Sequence, residues 1–120
     1  MPKTEVVVFA AEDGSAPLLA WMDNLQVKVR DKCIVRIERL AEVGHELRRP
    51  EADFLQDGIH ELRIQHKKVQ YRILYFFHEG LAVLSHGCTK ESIVPPVEIG
   101  RAVKNRERFI QDPSRHIYKE

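Results

Sequence analysis

Gly58–Lys90 reads GIHELRIQHKKVQYRILYFFHEGLAVLSHGCTK, and the way this stretch folds decides the architecture of the chain. Runs rich in Ile, Val, Tyr and Phe flank the polar Lys67-Lys68 break, the pattern of a strand, a tight turn and a returning strand. With Lys67-Lys68 as a two-residue loop, His66 opposes Val69, Ile64 opposes Tyr71, and Arg63 falls opposite Arg72 with both side chains on one face. Like charges so placed repel by about 0.2–1 kcal/mol. Either solvent screens the pair or an anion bridges it, and a phosphate suits two guanidinium groups.

The next turn extends the constellation. His78-Glu79-Gly80 fits a three-residue hairpin loop with Gly80 in the left-handed conformation. That loop pairs Phe77 with Leu81, Leu74 with Leu84 and Arg72 with His86, so His86 joins the arginines. A two-residue loop, Glu79-Gly80, would instead turn His86 to the other face.

Working outward, 120 residues make one domain, 1–120, large enough to bury a core without disulfides or metal. With 43% hydrophobic and 31% charged residues the chain is neither disordered nor membrane-spanning, and it lacks a long apolar run. The N-terminal MPKTEVVVFA is followed at once by Glu12-Asp13, which suits a first strand better than a secretory signal, so a cytoplasmic location is expected. Cys33 and Cys88 have neither C-x-x-C spacing nor a second pair, so both are expected to be reduced and structural.

Glu5–Phe9 is a strand candidate, and Pro17 opens a short helix in which Leu18, Met22 and Leu25 recur at helical spacing. A longer helix is predicted over Lys28–Val43, with Val27, Cys33, Ile34, Ile37, Leu40 and Ala41 as its apolar stripe and Gly44 ending it. His45–Asp57 reads as an ordered loop, because Pro50 and turn-forming residues separate its apolar anchors Leu47, Phe54 and Leu55. After Lys90, Pro95-Pro96 opens a terminal helix with Ile99, Val103, Phe109 and Ile110 buried, and the chain from about Pro113 reads as a mobile tail. The sum is an α+β domain, β-α-α-β-β-β-α, with one mainly antiparallel sheet packed against helices.

Six histidines could suggest a metal, yet none stands in an H-x-x-x-H or H-E-x-x-H arrangement and no carboxylates cluster, so neither metal nor cofactor is expected. RNA cleavage needs only a base for the 2′-hydroxyl, cations for the phosphate and an acid for the departing 5′-oxygen. Arg63 and Arg72 are candidates to hold the phosphate, Lys90 to add charge and His86 to move protons. Glu61 either orients Arg63 as its ion-pair partner or acts as a base. Lys67 and Lys68 at the turn, with Arg101 and Lys104 on the terminal helix, are the candidate RNA-binding cations. The net charge of +1 means that any attraction for a polyanion must come from such local groups.

The strings GIHELRIQHKKVQYRILYFFHEGLAVLSHGCTKES and PPVEIGRAVKNRERF resemble the phage-derived branch of the RelE/HigB toxin superfamily, in which G-x-x-E-L-R, Y-R-[IV]-x-Y-F and H-G-F-x-K strands recur in order. The resemblance covers about the last two thirds of the chain. It implies a RelE-like fold and the toxin of a type II toxin-antitoxin system that cleaves mRNA in the ribosomal decoding site without a metal. It also implies a helix-turn-helix (HigA-like) antitoxin encoded nearby as partner, and leaves self-association into a homo-oligomer open. Its motifs fall on Glu61 and Arg63, on Tyr71 and Arg72, and on His86 and Lys90. Where the family has an aromatic residue and a run of lysines after H-G, this chain has Cys88, Thr89, Lys90, Glu91 and Ser92. That departure motivates two alternatives: a non-catalytic module that captures an antitoxin, and a same-fold toxin acting on a protein such as DNA gyrase.

Overall fold

The computed structural model describes residues 4–89 and 93–120. The elements are β1 (Glu5–Val8), α1 (Pro17–Asp23), α2 (Val27–Val43), β2 (Ala52–Gln56), β3 (Ile59–His66), β4 (Val69–His78), β5 (Leu81–Thr89) and α3 (Pro96–Gln111), with short 3-10 turns at Gly44–Glu46 and Pro113–His116. The strands form one sheet in the order β1-β5-β4-β3-β2, in which β1 runs parallel to β5 and the other pairs are antiparallel. This is the expected α+β architecture with one strand more.

The added strand is β2, within the segment read from sequence as a loop. It pairs with β3 as Ala52↔Leu62, Asp53↔Glu61 and Phe54↔His60. As a short edge strand it buries little: Ala52 is buried while Phe54, on the same face, is 56% exposed, so the strand has no clear apolar alternation. Asp57 and Gly58 join the two strands with φ of 56° and 78°, the twist-matched two-residue turn of a tight hairpin.

β4 lies at the centre of the sheet, and helices cover it on both faces. Its residues Ile73 and Tyr75 point toward α1 and α2 and share a core with Leu18, Val29, Cys33, Leu40, Leu62, Ile64 and Leu84. Leu74 and Phe76 point the other way, toward α3, into a core with Phe9, Ile59, Val83, Ile99 and Phe109. An α2 stripe built on Val29, Cys33 and Leu40 leaves Val27 and Ile34 outside, at 64% and 44% exposure, so these two do not belong to the core as expected. The same geometry corrects Ile110, which sits about 100° around the helix from the fully buried Phe109 and is half exposed.

The β3–β4 hairpin has the predicted register, with Arg63↔Arg72 and His66↔Val69 across Lys67-Lys68. The β4–β5 register does not. The turn is the two-residue one, Glu79-Gly80 (φ 45° and 83°), pairing His78 with Leu81 and Tyr75 with Leu84. The register then shifts, so that Leu74 opposes His86 and Arg72 opposes Cys88. Ser85 is the extra residue of this bulge, and bulges re-aim side chains. His86 therefore reaches the face of Arg63 and Arg72, but its cross-strand partner is Leu74 rather than Arg72.

The residues after α3 dock instead of trailing. Phe9 and Ile117 form an antiparallel bridge, Tyr118 N donates to Val8 O (2.8 Å) and Ala10 N to His116 O (2.8 Å). The His116 ring is buried, stacks on Phe9 with centroids 5.3 Å apart and contacts Ala10 O through Nδ1 (2.7 Å).

Candidate functional site

Glu61, Arg63 and Arg72 meet on the α3 side of the sheet, because residues two apart on a strand share a face and Arg63 is paired with Arg72. The repulsion expected between the arginines is relieved from within. Glu61 Oε1 accepts from Arg72 Nη1 at 2.5 Å, while Glu61 Oε2 lies 3.8 Å from Arg63 Nε. The Glu61 and Arg72 side chains are only 3% and 7% exposed, whereas that of Arg63 is 27% exposed. Of the two sequence readings of Glu61, ion-pair partner of Arg63 or base, the pair with Arg63 is present at 3.8 Å, but Arg72 is the closer partner. Glu61 and Arg72 form the buried floor, and Arg63 is the cation presented to solvent.

Toward the turn the face opens. A cleft of about 250 Å³ is lined by Arg63 and Gln65 of β3, Gln70 of β4, Arg36 of α2 and Pro50. Gln65 and Gln70 are a cross-strand pair, which sets two amides beside the Arg63 guanidinium. Arg36 is only loosely held by Glu51, at 3.6 Å. Lys67 and Lys68 are exposed at the hairpin tip, with φ of 49° and 70°. The arrangement offers guanidinium and amide donors to an anion and has no carboxylate among its lining residues.

His86 belongs to a different network. Asn105 Nδ2 donates to Ser85 Oγ (2.9 Å), Ser85 Oγ lies 2.8 Å from His86 Nδ1, and His86 Nε2 lies 3.0 Å from Glu98 Oε1, which also accepts from Arg101 Nη1 (3.1 Å). With Ser85 accepting from Asn105, its own hydroxyl donates to Nδ1, leaving the Nε2 proton for Glu98, so the chain is satisfied by a neutral imidazole. Burial holds the His86 proton affinity below that of a free histidine; Arg101 adds to this and Glu98 opposes it. Neither Arg63 nor Arg72 is among these causes, which come from burial and from α3. Both ring nitrogens are engaged and the residue is 1% exposed. His86 thus fastens α3 to the bulge in β5, and the next residue, Gly87, has no room for a side chain because a Cβ would stand 2.1 Å from the Trp21 ring.

Of the other sequence candidates, Arg101 and Lys104 are exposed on α3, away from the hairpin cleft, and Lys90 lies outside the described residues. Tyr71 packs against the α1/α2 core. His60 stacks on Tyr75 at 5.2 Å, and burial lowers its proton affinity, with His45 and Arg48 adding to the effect. Both cysteines are buried, and burial pushes the Cys33 thiol up to about 11. Among the described residues no group of histidine, cysteine and carboxylate side chains could hold a metal, and no helix is long and apolar enough to cross a membrane.

Sequence reading missed Arg36, Gln65 and Gln70. The glutamines were within reach, since the register that pairs Arg63 with Arg72 also pairs Gln65 with Gln70. Arg36 was not, because its approach to β3 depends on how α2 lies across the sheet.

No curated protein matches the chain. The family model described as "Phage derived protein Gp49-like (DUF891)", a toxin-like family, matches residues 20–107, which include α2, all of β2 to β5 and the residues of the hairpin cleft. The chain belongs to the phage-derived Gp49-like family.

Proposed function

We propose that this protein is the toxin of a type II toxin-antitoxin system and a metal-independent mRNA endoribonuclease that works at the open face of the β3–β4 hairpin. The observation that carries the reading is Arg63, presented in a cleft with Arg36, Gln65 and Gln70 and underpinned by the buried Glu61–Arg72 pair. A phosphodiester seated there places its non-bridging oxygens on the Arg63 guanidinium and the two amides, while Lys67 and Lys68 hold flanking phosphates. Attack of the 2′-oxygen on phosphorus expels the 5′-oxygen, with solvent water taking the 2′-hydroxyl proton and supplying one to the departing oxygen, and charge gathers on the phosphate in the transition state. Donors already fixed in place stabilise that charge without reorganising.

Glu61 and Arg72 are positioning residues in this account, because their burial keeps them from the substrate while they set where Arg63 stands. His86 and its network fasten α3. Lys90 remains a candidate source of further charge. The partners that accompany the reading are mRNA on translating ribosomes, in the cytoplasm, and a helix-turn-helix antitoxin encoded nearby. In a translating extract containing a chelator, the purified protein is expected to cut a reporter mRNA and Arg63→Ala to leave it intact; an mRNA left whole by the wild type contradicts the proposal.

One observation favours a second reading, a non-catalytic module that captures an antitoxin: the imidazole expected to move protons is sealed beneath α3. Tight antitoxin binding with undisturbed growth on expression would mark that outcome.

A further inference from the structure

We propose a second site for the phosphate backbone of single-stranded RNA, formed by Arg101, Lys104 and Arg108 of α3 where they face the connection between β1 and α1. A cleft of about 280 Å³ lies there, with Phe9, Ala11 and Pro17 as its apolar wall and Asn105 in its lining. The three cations recur at positions i, i+3 and i+7, which puts them on one side of the helix over about 10 Å of its axis. That spacing presents a row of charge to a strand rather than a single point to one phosphate.

The charges are unevenly balanced. Glu98 takes Arg101 at 3.1 Å, but among the described residues neither Lys104 nor Arg108 takes an ion pair. Glu107 is the carboxylate beside them, and it lines the neighbouring groove together with Lys104, Arg108 and Gln111 rather than the cleft itself. Two exposed cations beside an apolar wall are left for an external anion. Part of the lining is fixed in advance: Asn105 is tied to Ser85, and Arg101 is held by Glu98, which His86 holds in turn. The His86 network therefore has a role at this surface, as the support of the helix face that carries the cations.

The inference rests on the ribonuclease reading only for the identity of the polyanion. The test is fluorescence anisotropy with an oligouridylate of about 12 nucleotides, over a series of salt concentrations. Wild type, the double variant Lys104→Ala/Arg108→Ala, Glu107→Gln and Arg63→Ala are compared. All these side chains are exposed or partly so, and the melting temperatures of the variants check that the fold is kept. The double variant is expected to bind about tenfold more weakly at low salt, with the slope of log affinity against log salt flatter by about 1.4, or roughly 0.7 for each lost phosphate contact. Glu107→Gln is expected to bind severalfold more tightly, and Arg63→Ala to keep the salt-dependent contribution of α3.

A double variant with wild-type affinity and slope, or a wild type that fails to bind the oligonucleotide, overturns the site. The two readings fail separately. Binding that depends on α3 without any mRNA cleavage would defeat the ribonuclease and leave this site standing, whereas cleavage with unaltered binding in the double variant would do the reverse.

Discussion

At the scale of single residues, burial separates roles that the sequence presents as alike. Glu61 and Arg72 neutralise each other in a buried pair on the α3 side of the sheet, so removing either partner strands a buried charge, at a cost of about 3–5 kcal/mol. Glu61→Ala is expected to lose that much in urea unfolding. Arg63→Ala, at a side chain open to solvent and held only at 3.8 Å, is expected to change stability by about 0.5 kcal/mol or less while removing cleavage. The facing of Arg63 and Arg72 was legible because a two-residue loop leaves one register, whereas the depth of Arg72 was not, since strand pairing sets a side chain's face but not its burial. His86 carries the pH dependence. Its proton affinity is lowered in the folded protein by burial and Arg101, so below the ordinary histidine value of 6.5 the unfolded chain takes up a proton that the native state refuses. Stability from this group is complete above pH 6.5 and is lost as pH falls, with a slope of up to about 1.4 kcal/mol per pH unit. His60 and His66 are shifted in the same direction. Thermal melts from pH 7.5 down to pH 5 should show a falling midpoint, and His86→Gln should flatten the fall; an unchanged slope would contradict the neutral-imidazole network.

At the scale of elements, three hairpins use the same two-residue turn with both central residues at positive φ: Asp57-Gly58, Lys67-Lys68 and Glu79-Gly80. Two of them supply the glycine that this turn favours, and the lysine pair does not. Keeping lysines there costs about 1–2 kcal/mol for each left-handed residue without a compensating glycine or asparagine. Local strain of this kind is tolerated where function needs the side chains. Replacing Lys67-Lys68 by Asn-Gly is accordingly expected to raise stability by about 1 kcal/mol or more in denaturant unfolding and to weaken RNA binding. A gain in stability with RNA binding unaltered would remove the lysines from the functional account. The same turn chemistry explains what was missed. Asp57-Gly58 is a hairpin signal as strong as any in the chain, and reading it would have turned the supposed loop before Gly58 into β2. The bulge at Ser85 had no comparable signal, because strand alternation gives no warning of an inserted residue that α3 holds through Asn105, with Glu98 on the neighbouring His86.

At the scale of the whole molecule, helices on both faces leave the sheet few open surfaces. α1 and α2 cover one side, α3 covers much of the other, and the docked C-terminal residues pair with the end of β1. The far end of the β3–β4 hairpin stays open, and with it the cleft around Arg63. A chain of net charge +1 attracts a polyanion through such local features rather than its overall field, so binding should fall steeply with salt. Membership of the phage-derived Gp49-like family places the hairpin cleft within the matched region, and the function proposed for that cleft stands or falls on Arg63. The decisive measurement is induced expression of wild type and Arg63→Ala in a bacterial culture, with growth followed and the 5′ ends of a reporter mRNA mapped by primer extension. The account predicts growth arrest with new mRNA ends for the wild type, and neither for an Arg63→Ala protein that accumulates in folded form. Arrest and mRNA cleavage by folded Arg63→Ala at the wild-type level would contradict it.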